Sequence, residues 1–219
     1  MKRLFQFFLG ILLLPACVVQ SYAFYHSLRQ LKQFEGDEVH FLYGVILYFL
    51  MHTLLFKPVT LYTLGHEWVH AIASMAFGGK VASVKASNKG GETKTTKSNI
   101  FVELAPYFTP LYALLFCILA FILVRLLQIK KLQDLFFFLI GFSLTLHIVM
   151  TVECLKTKQP DLVKLGSLFS IGLIYSVNLL VIVFVIGFVF PEVSTKEYFV
   201  SALISTEMAY RQLYHQLFL

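Results

Sequence analysis

Two histidines and a glutamate lie within one short apolar segment of this chain, as His66-Glu67-Trp68-Val69-His70. In a helix, side chains four residues apart lie on the same face, so the two imidazoles can bind one metal ion. Glu67 is adjacent to them and can take a proton from the attacking water. This spacing is typical of metal-assisted peptide hydrolysis, with His66 and His70 as metal ligands and Glu67 as the catalytic residue.

The apolar surroundings of the motif, Val59–Phe77, strengthen this interpretation. Ionisable side chains in a lipid-embedded helix are costly unless they have partners, and a metal ion is one such partner. Hydrogen bonds to neighbouring helices are the alternative. In that case the three side chains would stabilise helix packing and bind no metal.

The composition of the whole chain is that of an integral membrane protein. Of its 219 residues, 58% are hydrophobic and 14% are charged, whereas soluble globular chains carry about 25% charged residues. We predict a single multi-pass domain over residues 1–219 in the cell (plasma) membrane, with a core at about residues 59–190. Residues 191–219 mix apolar and polar side chains, which predicts an amphipathic helix that lies on the membrane surface.

The net charge of +6 favours contact with anionic membrane lipid over nucleic-acid binding. The three cysteines, Cys17, Cys117 and Cys154, fall in or beside apolar segments without paired spacing. We therefore predict that they are small packing residues, and neither a disulfide framework nor a metal site.

Six apolar runs have about the 17 to 25 residues that a helix needs to cross a bilayer. They are Leu4–Phe24, Val39–Phe56, Val59–Phe77, Ala105–Leu127, Leu135–Leu155 and Leu168–Phe190. The predicted fold class is thus an all-α polytopic membrane protein with about six transmembrane or partly inserted helices. The first run has some features of a signal peptide, but its apolar character continues beyond Cys17, which favours a retained span. Only Lys57-Pro58 separates the second run from the third, which predicts either a tight turn or a bent helix. The third run could instead be a partly inserted helix.

A polar segment with turn residues follows the motif. Gly78-Gly79 is a helix-stop signal, and Asn88–Gly91 separates two runs that carry valine, threonine and lysine. This pattern predicts a short β-hairpin, whose edge can hold an unwound substrate segment by strand addition. The alternative is a solvated, lysine-rich loop.

Catalytic zinc usually has three protein ligands, and the motif supplies two. The downstream candidates for the third are Glu103, Asp134, His147, Glu153 and Asp161. We favour Asp161, because it follows Pro160 just before the last strong span, where irregular backbone can line a polar cavity. The alternative is that Asp161 only caps the following helix. Glu153 is the second candidate for the ligand.

Two polar residues within apolar runs are candidates for contact with substrate. Asn178 can polarise the scissile carbonyl or can stabilise helix packing. His147 is more typical of a hydrogen-bonded residue between helices than of a metal ligand.

The segment Gly65-His66-Glu67-Trp68-Val69-His70-Ala71, within an apolar helix, resembles the site-2 protease family of intramembrane zinc metalloproteases. The later features agree in order: a Gly/Lys-rich segment, Ala105-Pro106-Tyr107 at a span entrance, and Asp161 before a late span. The resemblance covers roughly Val59–Phe190.

This resemblance implies one Zn²⁺ per chain, bound by His66, His70 and Asp161, with Glu67 as the catalytic residue. It also implies that the substrate is a transmembrane protein or peptide, cut within or beside the bilayer. The chain departs from the family pattern at Leu162, where glycine is common, and at Gln159, near the usual asparagine.

Other functions are compatible with the same residues. A membrane zinc protease of the prenyl-protein protease type would be favoured by Glu153 as the third ligand. A non-catalytic scaffold could bind a partner helix, although the intact Glu67 argues against it. A transporter-like protein could use buried histidine and glutamate to relay protons or ions, but it does not need this spacing.

Overall fold

The computed structural model describes residues 2–31, 36–157 and 159–218. In this part the chain is mostly helical, with one two-stranded antiparallel sheet. The helical fold class and the small hairpin that the sequence predicts are therefore confirmed.

The elements follow one another along the chain with short connections. They are α1 (Lys2–Leu28), α2 (Val39–Leu50), α3 (Val59–Ala76), β1 (Val81–Ser87), β2 (Gly90–Thr95), α4 (Ile100–Phe108), α5 (Leu111–Ala120), α6 (Gln133–Leu155), α7 (Pro160–Leu165), α8 (Ser167–Val189) and α9 (Thr195–Phe218). Helices α2 and α5 each continue into a wider π-type turn, Met51–Leu55 and Phe121–Leu126, respectively.

Four helical segments of the described chain are long and apolar enough to cross a membrane, which is consistent with a membrane protein. They are Leu4–Leu28, Gly36–Leu55, Lys130–Leu155 and Ser167–Val189. Helix α4 and the segment Leu111–Leu126 meet the same criterion only as a pair, and a bend of 70° separates them. The count is thus four, or five if the bent pair is one span, and α3 is not among them.

The bent pair differs from the single run Ala105–Leu127 that the sequence predicts. Its first helix begins earlier, at Ile100, and ends at Phe108. Thr109 is extended, with φ −107° and ψ 100°, because the ring of Pro110 disfavours helical backbone in the residue before it. Pro110 is the N-cap of α5, which begins at Leu111.

One compact unit of the chain covers Phe34–Gln159 and contains α2 to α6 with the hairpin. Helices α2 and α6 lie in very close contact in this unit. A Cβ atom on Gly44 would lie 2.1 Å from the carbonyl oxygen of Phe138, and one on Gly141 would lie 2.1 Å from that of Phe41. The two helix backbones can approach this far only because both positions are glycine.

Helix α3 ends at the predicted stop signal. Gly78 has φ +76°, and the backbone N–H groups of Gly78 and Gly79 donate to the carbonyls of Met75 and Ser74 at 2.9 and 2.8 Å. This is a Schellman ending, which needs a left-handed residue after the helix. The turn directs the chain into the hairpin, where β1 and β2 pair antiparallel and Ala86 lies opposite Gly91.

The second compact unit combines Met1–Gln33 with Pro160–Leu219, and its helices are α1, α7, α8 and α9. Helix α1 packs against both α8 and α9. In α9, Tyr198 and Ala202 are buried while Leu203 and Met208 are exposed. The predicted helix in residues 191–219 is thus present, and its contact with a membrane surface stays a prediction.

Candidate metal centre

Helix α3 places the two motif histidines side by side. Their ring centroids are 4.9 Å apart, with an angle of 77° between the ring planes. This is the arrangement expected for residues one helical turn apart on one face. Both side chains are half-buried.

The orientation of His70 is fixed by a backbone group of the next helix. Its Nδ1 lies 2.8 Å from the carbonyl oxygen of Val102, in the first turn of α4. Because a carbonyl only accepts hydrogen bonds, Nδ1 carries the proton and Nε2 carries the lone pair that a metal ion needs. Asn99 caps α4 by accepting a hydrogen bond of 2.9 Å from the Val102 N–H, so the cap and the histidine contact share one turn.

His66 lies against two tyrosine rings, at centroid distances of 5.0 Å from Tyr107 and 5.8 Å from Tyr62. Its Nδ1 is buried and has no hydrogen-bond partner among the described residues. Buried polar atoms nearly always have a partner, and a bound ion is one such partner. The environment of His66 therefore fits a metal ligand.

Glu67 lies on the same helix, and the hairpin contacts it. Its side chain is buried, and Oε2 accepts a hydrogen bond of 2.6 Å from the hydroxyl of Thr93 on β2. That hydroxyl also lies 3.0 Å from the Glu67 backbone carbonyl. A strand outside α3 thus holds the Glu67 carboxylate, on a residue that directly follows His66 in the sequence.

His66 and His70 together can supply two imidazole ligands to one metal ion. Asp161, the favoured third ligand, lies in the first turn of α7, which belongs to the other compact unit. Ligation by Asp161 stays a prediction. Two imidazoles with one carboxylate are a common ligand set of catalytic metal sites.

The other candidates for the third ligand have different partners. Glu153 forms ion pairs with Lys57 at 2.7 Å and with Lys156 at 3.6 Å. Asp134 lies 3.6 Å from His40, and the buried Glu103 accepts a hydrogen bond of 2.5 Å from the Ser98 hydroxyl. In the described chain these three carboxylates are thus engaged with cationic or hydroxyl partners.

The two residues predicted to contact substrate lie in different elements. His147 is buried in α6 and lines a small cavity together with His66, Ser143 and Tyr112. Asn178 donates a hydrogen bond of 2.9 Å to the Ile174 carbonyl within α8. Contact of either residue with substrate stays a prediction.

Two contacts of the centre carry no signal that sequence reasoning could have used. The Val102 carbonyl is a backbone group, which any residue supplies. Thr93 is one of two threonines in β2, and only the packing of β2 on α3 selects it. Comparisons with protein-family models, with curated proteins and with solved structures found no match. The chemistry of these side chains therefore carries the functional assignment.

Proposed function

We propose that this chain is an intramembrane zinc metalloprotease of the site-2 protease type. It hydrolyses peptide bonds of membrane-embedded or membrane-adjacent substrates. The observation that carries the proposal is the pair of His66 and His70 rings, 4.9 Å apart on one face of α3, the helix that also carries Glu67. Asp161 is the third ligand that we propose. Three such ligands leave a fourth position of a tetrahedral zinc ion open for catalysis.

The chain's own residues have separate tasks in this proposal. Bound zinc supplies the Lewis acidity that activates water and polarises the scissile carbonyl. His70 is held in the metal-binding tautomer by the Val102 carbonyl. Glu67 accepts the proton of the attacking water and passes it to the leaving nitrogen. Burial of the Glu67 side chain limits its exchange of protons with bulk water.

The distribution of polarity on α3 supports a site within the bilayer. One stripe of this helix is apolar yet exposed: Leu61, Leu64, Trp68, Ile72 and Met75. Outside this stripe, Glu67 is buried and both histidines are half-buried. Exposed apolar side chains with buried ionisable ones are the arrangement expected in lipid. We infer that α3 is partly inserted and that the bent pair α4–α5 also enters the membrane, giving about six inserted segments of a multi-pass protein of the cell membrane.

The substrate must be unwound before it is cut, because the amides of a transmembrane helix are already hydrogen-bonded. The edge of the β1–β2 hairpin can pair with an extended substrate segment. His147, at the cavity beside His66, and Asn178 are the side chains that we assign to substrate contact.

Metal content and turnover of the purified protein test this function. The probe for turnover is a quenched fluorescent transmembrane peptide of leucine and alanine with a central pair of glycines, in detergent micelles. We expect about one zinc ion per chain in the wild type. We also expect Glu67→Gln to keep the zinc and lose cleavage, because the amide cannot accept the proton.

Single substitutions of the ligands separate the alternatives. His66→Ala and Asp161→Ala should each lose zinc, whereas Glu153→Gln, the matched control, should retain it. Loss of zinc in Glu153→Gln with retention in Asp161→Ala would favour the prenyl-protein protease type. A well-folded wild type without metal would favour a scaffold, and cleavage by Glu67→Gln would exclude Glu67 as the base.

A further inference from the structure

Strand β2 contacts Glu67 through the hydroxyl of Thr93. The oxygen of that hydroxyl lies 2.6 Å from Glu67 Oε2 and 3.0 Å from the Glu67 carbonyl. A threonine hydroxyl has a single proton to donate, and the shorter distance marks the carboxylate as its acceptor. The bond joins residues 26 positions apart in the chain, so it reports tertiary packing of the hairpin on α3.

The same strand limits the position of the Glu67 side chain at a second point. A Cβ atom on Gly91 would lie 2.5 Å from Glu67 Cγ and 2.6 Å from Oε1. No real Cβ atom could occupy that place while the carboxylate stays where it is. The side chain of Glu67 is therefore enclosed by Gly91 near Oε1 and by Thr93 at Oε2.

We propose that Thr93 is a positioning residue for Glu67, and that Gly91 provides the space this position requires. The proposal rests on the function proposed above, in which Glu67 is the base. A glutamate side chain has three rotatable bonds and several rotamers, and only some of these put the carboxylate near the reacting water. A displacement of about 1 Å in such a group can cost about 100-fold in rate. The Thr93 hydroxyl favours one of these rotamers through its bond to Oε2.

Substitution of Thr93 tests this role in the zinc-loaded protein with the peptide probe described above. Thr93→Val removes the hydroxyl and keeps the shape. We expect kcat to fall roughly 10- to 100-fold, the rate equivalent of a hydrogen bond to a charged group. KM and zinc content should stay within about twofold, because neither substrate nor metal ligands are altered. Thr93→Ser, which restores the hydroxyl, should recover most of the lost kcat.

Thr95 provides the matched control. It lies two residues further on the same face of β2, and its hydroxyl donates to the Lys97 carbonyl at 3.1 Å. Thr95→Val should therefore leave kcat unchanged. Gly91→Ala should lower kcat as Thr93→Val does, because the added methyl group displaces the carboxylate. Wild-type kcat in Thr93→Val, or an equal loss in Thr95→Val, would refute the positioning role.

A second measurement separates this proposal from the proposed protease function. The midpoints of thermal unfolding of Thr93→Val, Glu67→Ala and the double variant form a cycle that needs no turnover. We expect the double variant to lose less than the sum of the single losses, since each single change already breaks the bond. Additive losses would overturn the inference even in an active enzyme. If the wild type is inactive but the cycle shows coupling, the proposed protease function would be refuted and the contact between Thr93 and Glu67 would be supported.

Discussion

The N-terminal cap of α4 should control zinc affinity, although Asn99 is not a ligand. Its side chain accepts a hydrogen bond from the N–H of Val102, and the carbonyl of that same residue holds His70. Asn99→Ala removes the cap and allows the first turn of α4 to open. In the molecules whose turn is open, the contact between His70 and the Val102 carbonyl is lost. Zinc binding must then close the turn again, and this lowers the observed zinc affinity.

The free energy of the cap limits the size of this effect. An N-cap contributes about 1 kcal/mol, with a range of about 0.5 to 2 kcal/mol. Because opening of the turn is the only source of the loss, zinc affinity should fall about fivefold and by no more than about thirtyfold. By contrast, removing a ligand should abolish zinc binding in the accessible concentration range.

Competition with a chromophoric zinc chelator measures the dissociation constants. Asn99→Ser serves as the control, because serine keeps the capping oxygen without adding charge near the metal. It should bind zinc within about twofold of the wild type. Unchanged affinity in Asn99→Ala would show that the Val102 carbonyl does not depend on the cap. An equal loss in Asn99→Ser would show that the amide of Asn99 acts in some other way.

Two further predictions concern stability. Gly44→Ala should lower the midpoint of thermal unfolding by about 2 to 12 °C, because overpacking against the α6 backbone costs about 1–3 kcal/mol. Gly172→Ala is the control and should not lower the midpoint, since the nearest atom to a Cβ there is 3.5 Å away. Equal losses for the two variants in a thermal scan would refute the close-approach argument. The second prediction starts from protein with free zinc at 100 times its dissociation constant, and removal of this zinc by a chelator should lower the midpoint of thermal unfolding by roughly 5–10 °C. The same treatment should leave the midpoint of His66→Ala unchanged. A wild type whose midpoint does not respond would contradict metal binding to the folded state.

The local features of the fold follow from sequence periodicity and turn residues. The four-residue spacing of His66 and His70 places both rings on one face of any helix, whatever its surroundings. Gly78 ends α3 because it has no Cβ to oppose the left-handed turn, and the residues Asn88–Gly91 favour the tight turn between β1 and β2. These features depend on a few neighbouring residues, and for that reason they could be predicted.

The tertiary contacts of the centre could not be predicted in the same way. The bond between Thr93 and Glu67 requires both the hairpin register and the packing of the hairpin on α3, and neither is encoded in a local pattern. The bend before Pro110 was also only partly predictable. A proline permits a first helical turn as well as a kink, and the extended backbone of Thr109 is what makes the pair two helices.

The polarity of α3 explains why this helix is ambiguous in sequence and informative in structure. In a soluble protein, a stripe such as Leu64, Trp68 and Ile72 would face the core, and the motif histidines would face water. Here the stripe is exposed and the ionisable side is buried. For the proposed protease, lipid on the apolar side would leave the polar side as the route for the water that hydrolysis consumes. Strand β2 covers that side over Glu67, so we expect access of water and substrate to the proposed centre to depend on the hairpin.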